Sequence, residues 1–113
     1  MECLTPDQKS AYEANGYLLV ENRIPDDWLT KIRTEIARFE AEAATMTDSN
    51  DRLDLEDSHT PDDPRLRRIK LPHAISDIFR DLMLSDHVLA PARDLIGPNL
   101  RLHTSKLNMK SAG

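Results

Sequence analysis

Leu100-Arg-Leu-His-Thr-Ser-Lys-Leu-Asn-Met-Lys-Ser-Ala-Gly113 closes the sequence and decides how the rest is read. It follows a helix stop, Leu95-Ile96-Gly97-Pro98, and reads as a strand. In an extended chain Thr104, Lys106, Asn108 and Lys110 point one way, while His103, Ser105, Leu107 and Met109 point the other. The first set is polar throughout. Strand interiors rarely carry so many polar groups unless the strand lines a site. A polar face with one or two ammonium groups inside a barrel suits an anionic ligand such as a carboxylate. An edge strand keeping its lysines in water explains the same pattern, and on residue chemistry alone it is the stronger reading. A strand that stops without a turn or a further partner leaves backbone groups unpaired. The expectation is therefore a chain interrupted within a larger domain.

Composition narrows the class. The 113 residues suffice for one small domain or part of a larger one. Apolar residues make up 39% and aromatics only 4%, so the core is thin. A net charge of −5 argues against a nucleic-acid or anionic-membrane partner, since both require a basic face. No apolar run approaches the roughly 18–20 residues that span a bilayer. Met1-Glu-Cys-Leu4 shows neither the basic nor the apolar region of a secretory signal. Cys3 is the single cysteine and cannot form an internal disulfide, so a reducing, cytoplasmic compartment is expected and Cys3 reads as inert.

Working back along the chain, Thr5-Pro-Asp-Gln8 is a helix start with capping-box chemistry, and Asn15-Gly16 is its stop. Tyr17-Leu-Leu-Val-Glu21 reads as a short strand buried on both faces. Pro25-Asp-Asp27 opens a long helix whose stripe is Trp28, Leu29, Ile32, Ile36, Phe39 and Ala43. That stripe is expected to pack on the protein's own core. Residues 47–64 are acidic and broken by prolines, and read as a long solvated loop. A calcium loop fails there: Arg52 stands at the fifth position from Asp48, no glycine follows, and His59 stands where glutamate is required. Arg65-Leu-Arg-Arg-Ile-Lys-Leu71 partly alternates and suits an edge strand. Ile75, Ile78, Phe79, Leu82 and Met83 form a third helical stripe. Val88, Leu89, Ala92, Leu95 and Ile96 form a fourth, after a restart at Ser85-Asp86. Pro91 is expected near the first turn of that helix, because deeper inside it removes a hydrogen bond.

No complete catalytic or metal-binding set is present. His59, His73, His87 and His103 lie outside His-x-Asp, His-x-Glu and His-Glu-x-x-His spacings, and three glycines make no phosphate loop.

The order of these features resembles the phytanoyl-CoA dioxygenase family. Leu4-Thr-Pro-Asp-Gln-Lys-Ser-Ala-Tyr-Glu-Ala-Asn-Gly-Tyr-Leu-Leu-Val-Glu21 looks like the family's opening, in which a short helix, a Gly-Tyr pair and a β run precede a long amphipathic helix. His73-Ala-Ile-Ser-Asp-Ile-Phe-Arg-Asp-Leu82 and Asp94-Leu-Ile-Gly-Pro-Asn-Leu-Arg-Leu-His-Thr-Ser-Lys-Leu-Asn-Met-Lys110 resemble it again. The resemblance covers nearly all of the chain except the acidic loop.

It implies an α+β fold: N-terminal helices and first strands of a double-stranded β-helix, or jelly roll, with the barrel incomplete. Residues 1–113 are then the N-terminal part of a single domain, with the acidic loop at 47–64. It also implies iron(II), held by two histidines and an aspartate, and 2-oxoglutarate, whose decarboxylation drives hydroxylation of an unactivated C–H bond in a small organic substrate. The lysine that meets 2-oxoglutarate carries over to Lys110, and a strand position that meets substrate in some members carries over to Thr104. Family substrates range from acyl-CoA thioesters to small polar metabolites. The iron ligands should follow Lys110 and are not among these residues, and Ser111-Ala112 stands where a proline is common. His103 reads as a packed or hydrogen-bonded side chain and not as a ligand. The chain alone is thus expected to bind neither iron nor cosubstrate tightly and to turn nothing over. The competing expectation is a short, non-catalytic helical module that binds a protein partner through the Trp28–Phe39 stripe.

Overall fold

The computed structural model describes residues 3–110; Ser111 and Ala112 lie outside them. Local chemistry at the N-terminus forms helix α1 (Pro6–Asn15). The Thr5 hydroxyl accepts from the Gln8 amide at 3.1 Å, and the Gln8 side chain accepts from the Thr5 amide at 2.9 Å, which closes the capping box. Gly16 ends the helix at φ 79°, a left-handed position that glycine takes without steric cost. The helix buries none of its own residues. Buried Leu4 and the Asp94 carboxylate hold it instead: Asp94 accepts from the Cys3 and Leu4 amides, both at 2.7 Å.

The run at 17–21 is not a strand. It alternates as a strand does, with Tyr17 70% and Leu19 74% exposed and Leu18 and Val20 half-buried. Among the described residues, however, no neighbouring strand takes up its backbone groups, and without a ladder an extended run is not a strand.

Helix α2 (Asp26–Ala43) is the longest element. Its stripe does face the protein's own core: Phe39 and Ala43 are fully buried, and Ile32 and Ile36 pack against the same cluster. Residues 47–64 are not all loop. Leu53 and Leu55 are buried and form strand β1 (Leu53–Leu55) with Asp54 between them. The polar residues around β1 fix it through backbone hydrogen bonds. Asn50 Oδ1 accepts from the Arg52 and Leu53 amides, both at 2.8 Å, and Ser49 Oγ accepts from the Leu55 amide at 2.9 Å.

Strand β2 (Leu66–Lys70) is central and not an edge. It pairs antiparallel with β1 on one side and with β3 (Lys106–Asn108) on the other. Both of its rows of backbone groups are therefore taken up, which single-strand alternation does not reveal. Leu53 faces Ile69 across β1 and β2, and Ile69 faces Leu107 across β2 and β3. These side chains, Leu55 and Leu66, α2 and Phe79 together form the core.

The third stripe is broken in two. Helix α3 (Pro72–Ile75) stops at Ser76, and α4 (Asp77–Leu84) begins there. Ser76 is extended, its hydroxyl accepts from the Phe79 amide at 3.4 Å, and it donates to Glu35 of α2. One serine thus caps α4 and fastens it to α2.

Pro91 does not lie in the first turn of α5 (Asp86–Ile96) but inside the helix. Its ring leaves the His87 carbonyl without the amide donor four residues on. Arg23 supplies the missing donor. Its Nε donates to the His87 carbonyl at 3.0 Å and its Nη2 to that of Asp86 at 2.8 Å. Replacing Arg23 with alanine is therefore expected to cost about 1–2 kcal/mol in the native background and clearly less beside Pro91→Ala, which restores an in-helix donor. A double-mutant cycle in urea checks this; equal losses in both backgrounds would show that the guanidinium does not replace the proline's missing donor.

The sheet is open at both edges, and the molecule is extended, 50 × 28 × 26 Å. Its radius of gyration is 16.8 Å, against roughly 13 Å for a compact domain of this length. No helix among the described residues is long and apolar enough to cross a membrane.

Candidate functional site: the polar face of the sheet

The closing segment divides as its period-two pattern requires. Thr104, Lys106, Asn108 and Lys110 are exposed on one side, while Leu107 and Met109 pack on the core cluster. Neighbouring strands extend the polar face. Asp54, Arg68 and Asn108 lie in one register row, and Lys70 and Lys106 in another. Arg68 bridges its row, donating to Asn108 Oδ1 at 3.2 Å and pairing with Asp54 at 3.5 Å. The Asn108 side-chain oxygen is thus taken up by Arg68, which leaves its amide N–H groups as the remaining donors of that side chain.

Two cavities open on this face. One, of about 340 Å³, is lined by Glu56, Arg67, Arg68, Asn108, Met109 and Lys110. The other, of about 290 Å³, holds Thr104 and Lys106, with Lys70 and Leu71 on its wall. Leu71 has φ 45°, a left-handed conformation unusual for a leucine, where β2 turns into α3. A further cavity, about 580 Å³, lies between α2 and the strand ends, and Lys110 reaches it too. Lys110 has no ion pair among the described residues, and the Asn108 amide and the Glu56 carboxylate line the same cavity.

The described residues do not fit iron, because no three His, Cys, Asp or Glu side chains come together. Two of the histidines, His59 and His73, do other work. His59 Nδ1 accepts from the Arg65 amide at 2.8 Å, so its Nε2 carries the proton and donates to the Met46 carbonyl at 2.8 Å. It thereby pins the acidic segment to the end of α2. His73 Nδ1 contacts Ser105 Oγ. His103 is exposed and lacks a hydrogen-bond partner among the described residues, so it is not the packed side chain expected from the sequence.

Two carboxylates carry depressed pKa values. The Asp94 carboxyl is held below the usual carboxylate range chiefly by the Leu4 amide. The Glu35 carboxyl is held down first by the Arg38 guanidinium and then by the Ser76 hydroxyl. Partial desolvation and the neighbouring Asp94 push the Cys3 thiol up, the opposite of an activated thiolate. Because the two carboxyls titrate lower in the folded state, the stability they contribute is fully present above their unfolded values near 4 and is lost as pH falls through the lowered ones. On acidification the Leu4 amide resonance should therefore titrate below the ordinary carboxylate range in the native chain and not in Asp94→Asn. A persistent titration in that variant would assign the effect elsewhere.

Comparison with solved structures fixes the architecture first. The chain matches EctD from S. alaskensis, solved with bound Fe, with a TM-score of 0.73 at 23% identity, over 93% of this chain and 35% of that one. Its helices and open three-stranded antiparallel sheet are a partial jelly roll. The family follows: residues 12–113 match the Phytanoyl-CoA dioxygenase (PhyH) family model, and the chain belongs to that family. Similar proteins include an ectoine dioxygenase of Bordetella parapertussis, 31% identical over 96% of this chain and 33% of its own length. A probable alpha-ketoglutarate-dependent hypophosphite dioxygenase of Stutzerimonas stutzeri is 28% identical over 92% and 36%. The peroxisomal phytanoyl-CoA dioxygenase of Homo sapiens is 27% identical over 93% and 32%. The chain thus spans about a third of the length of these relatives.

Proposed function

We propose that this chain is the N-terminal portion of an iron(II)- and 2-oxoglutarate-dependent dioxygenase that hydroxylates a small organic substrate. The observation that carries the reading is the closing segment, whose apolar side chains lie on the core while Thr104, Lys106, Asn108 and Lys110 share the open face. Lys110 meets a 2-oxoglutarate carboxylate, with the Asn108 amide beside it, and Thr104 faces the substrate. When bound, iron(II) would activate dioxygen, the oxidant, with 2-oxoglutarate supplying two electrons as it is decarboxylated to succinate, and the metal ligands come from sequence beyond that described. This chain's own part is to bind and orient the carboxylate and to wall the site with a rigid sheet. Residues 1–113 act as part of one domain, and the span of about a third of each relative supports that reading.

Against the protein-module alternative, Ile32, Ile36 and Phe39 of the Trp28–Phe39 stripe lie in or against the chain's own core.

The test is the reading frame beyond the Gly113 codon, followed by turnover of its product. A continuing frame with His-x-Asp and iron-dependent conversion of 2-oxoglutarate to succinate supports the proposal. A product that contains those ligands yet consumes no 2-oxoglutarate under any substrate overturns it.

A further inference from the structure

A second cation stands on the polar face that the Lys110 reading does not use. Lys106 lies directly across the ladder from Lys70, and like charges opposed in this way destabilise a sheet. Only one of the two is neutralised. Lys70 Nζ pairs with Asp54 at 2.9 Å and donates to the Asn50 carbonyl at 2.8 Å. Asp54 is shared with Arg68 as well, so it has little left to offer. Lys106 has no ion-pair partner among the described residues, although the exposed Asp51 lines the same cavity. That cavity, about 290 Å³, also carries Thr104, a hydroxyl donor on the same side of the strand. Lys106 and Lys110 are four positions apart, roughly 13 Å along an extended backbone. One cavity is therefore bordered by Lys106 and a different one by Lys110.

We propose that Lys106, with Thr104 beside it and Lys70 behind, binds an oxyanion on the substrate, a carboxylate or a phosphorus oxyanion, at a subsite separate from the cosubstrate carboxylate at Lys110. The inference rests on the polar face being the lining of the oxygenase site. A neutral substrate would leave Lys106 without a counter-charge, whereas an oxyanion between Lys106 and the Thr104 hydroxyl supplies one and accepts from both.

The test uses the 113-residue chain, labelled with nitrogen-15 and titrated separately with inorganic phosphate and with 2-oxoglutarate. Phosphate is expected to shift the Thr104 and Lys106 resonances, and Lys106→Gln to weaken that binding roughly tenfold, with Lys110→Gln changing it less than about twofold. Lys106→Arg, which keeps the charge, should retain phosphate and shows that the face is still folded. Phosphate binding that falls equally in both glutamine variants would reveal a diffuse cationic field and overturn the subsite. So would 2-oxoglutarate binding that depends equally on both lysines, because Lys106 would then belong to the cosubstrate. Phosphate dependence on Lys106 and not on Lys110 upholds the subsite whether or not this chain alone holds 2-oxoglutarate; the Lys110 assignment fails separately, on an unchanged KM for 2-oxoglutarate in Lys110→Ala of the complete domain.

Discussion

Phe39→Ala is expected to abolish cooperative folding. Phe39 is fully buried at the point where α2 meets the sheet, among Leu53, Ile69 and Phe79. Truncating a buried phenylalanine costs about 3–5 kcal/mol, from lost transfer energy and from the cavity left behind. Domains of this size hold about 5–15 kcal/mol in total. An open sheet with a core of seven clustered buried side chains belongs at the low end of that range. Two guanidiniums add to what is lost: Arg38 lies 4.7 Å and Arg52 5.9 Å from the ring centroid. Arg52 is itself held by Glu42 through contacts at 2.9 and 3.0 Å, so the ring also anchors the link from α2 to β1. Urea melts followed by circular dichroism measure the effect. Phe39→Leu should keep a measurable transition at a smaller loss. Leu19→Ala, at an exposed position, should change stability by no more than about 0.5 kcal/mol. An Ala variant as stable as the parent would mean that α2 does not close the core.

The same residues show which parts of the fold local sequence dictates. Thr5, Gln8 and Gly16 act within their own turn, so α1 is legible residue by residue. The α2 stripe repeats over five turns, long enough for the period to stand out. Strand β1 has only Leu53 and Leu55 to signal it, inside an acidic stretch, and its burial depends on Ile69 across the ladder. The central place of β2 is likewise a property of its two partners. The break at Ser76 carried a local signal, serine followed by aspartate, but the apolar period runs across it. Pro91 inside α5 leaves a carbonyl whose donor comes from Arg23, over sixty residues earlier. Tertiary compensation of this kind has no trace in a window of sequence. The polar face was legible for the opposite reason: in an extended strand, sidedness follows from position alone. The matching polar side chains on β1 and β2, Asp54, Arg68 and Lys70, needed the register.

Lys110→Ala, in the protein that contains the complete domain, is expected to raise the 2-oxoglutarate concentration for half-maximal turnover by roughly 10- to 150-fold. The range follows from a charge-assisted hydrogen bond contributing about 1.5–3 kcal/mol. Lys110 is exposed in this chain, where its ammonium is hydrated, and the upper end applies only if the rest of the barrel excludes water from it. Lys110→Arg separates charge from geometry. It keeps the cation but replaces a rotatable ammonium with a rigid planar fork, so partial recovery is expected and full recovery is not. Asn108→Ala should act in the same direction with a smaller effect, since a neutral amide donor contributes about 1 kcal/mol. It also frees Arg68 from its bond to Asn108, so Arg68→Met serves as the control for a purely structural consequence. If Lys110 holds the cosubstrate, the loss in Lys110→Ala appears in KM for 2-oxoglutarate and leaves KM for the substrate nearly unchanged. If the lysine only keeps the edge strand in water, neither constant moves, and any change is confined to solubility and stability. An unchanged KM for 2-oxoglutarate in a folded Lys110→Ala enzyme would remove Lys110 from the site and return this strand to the edge-strand reading.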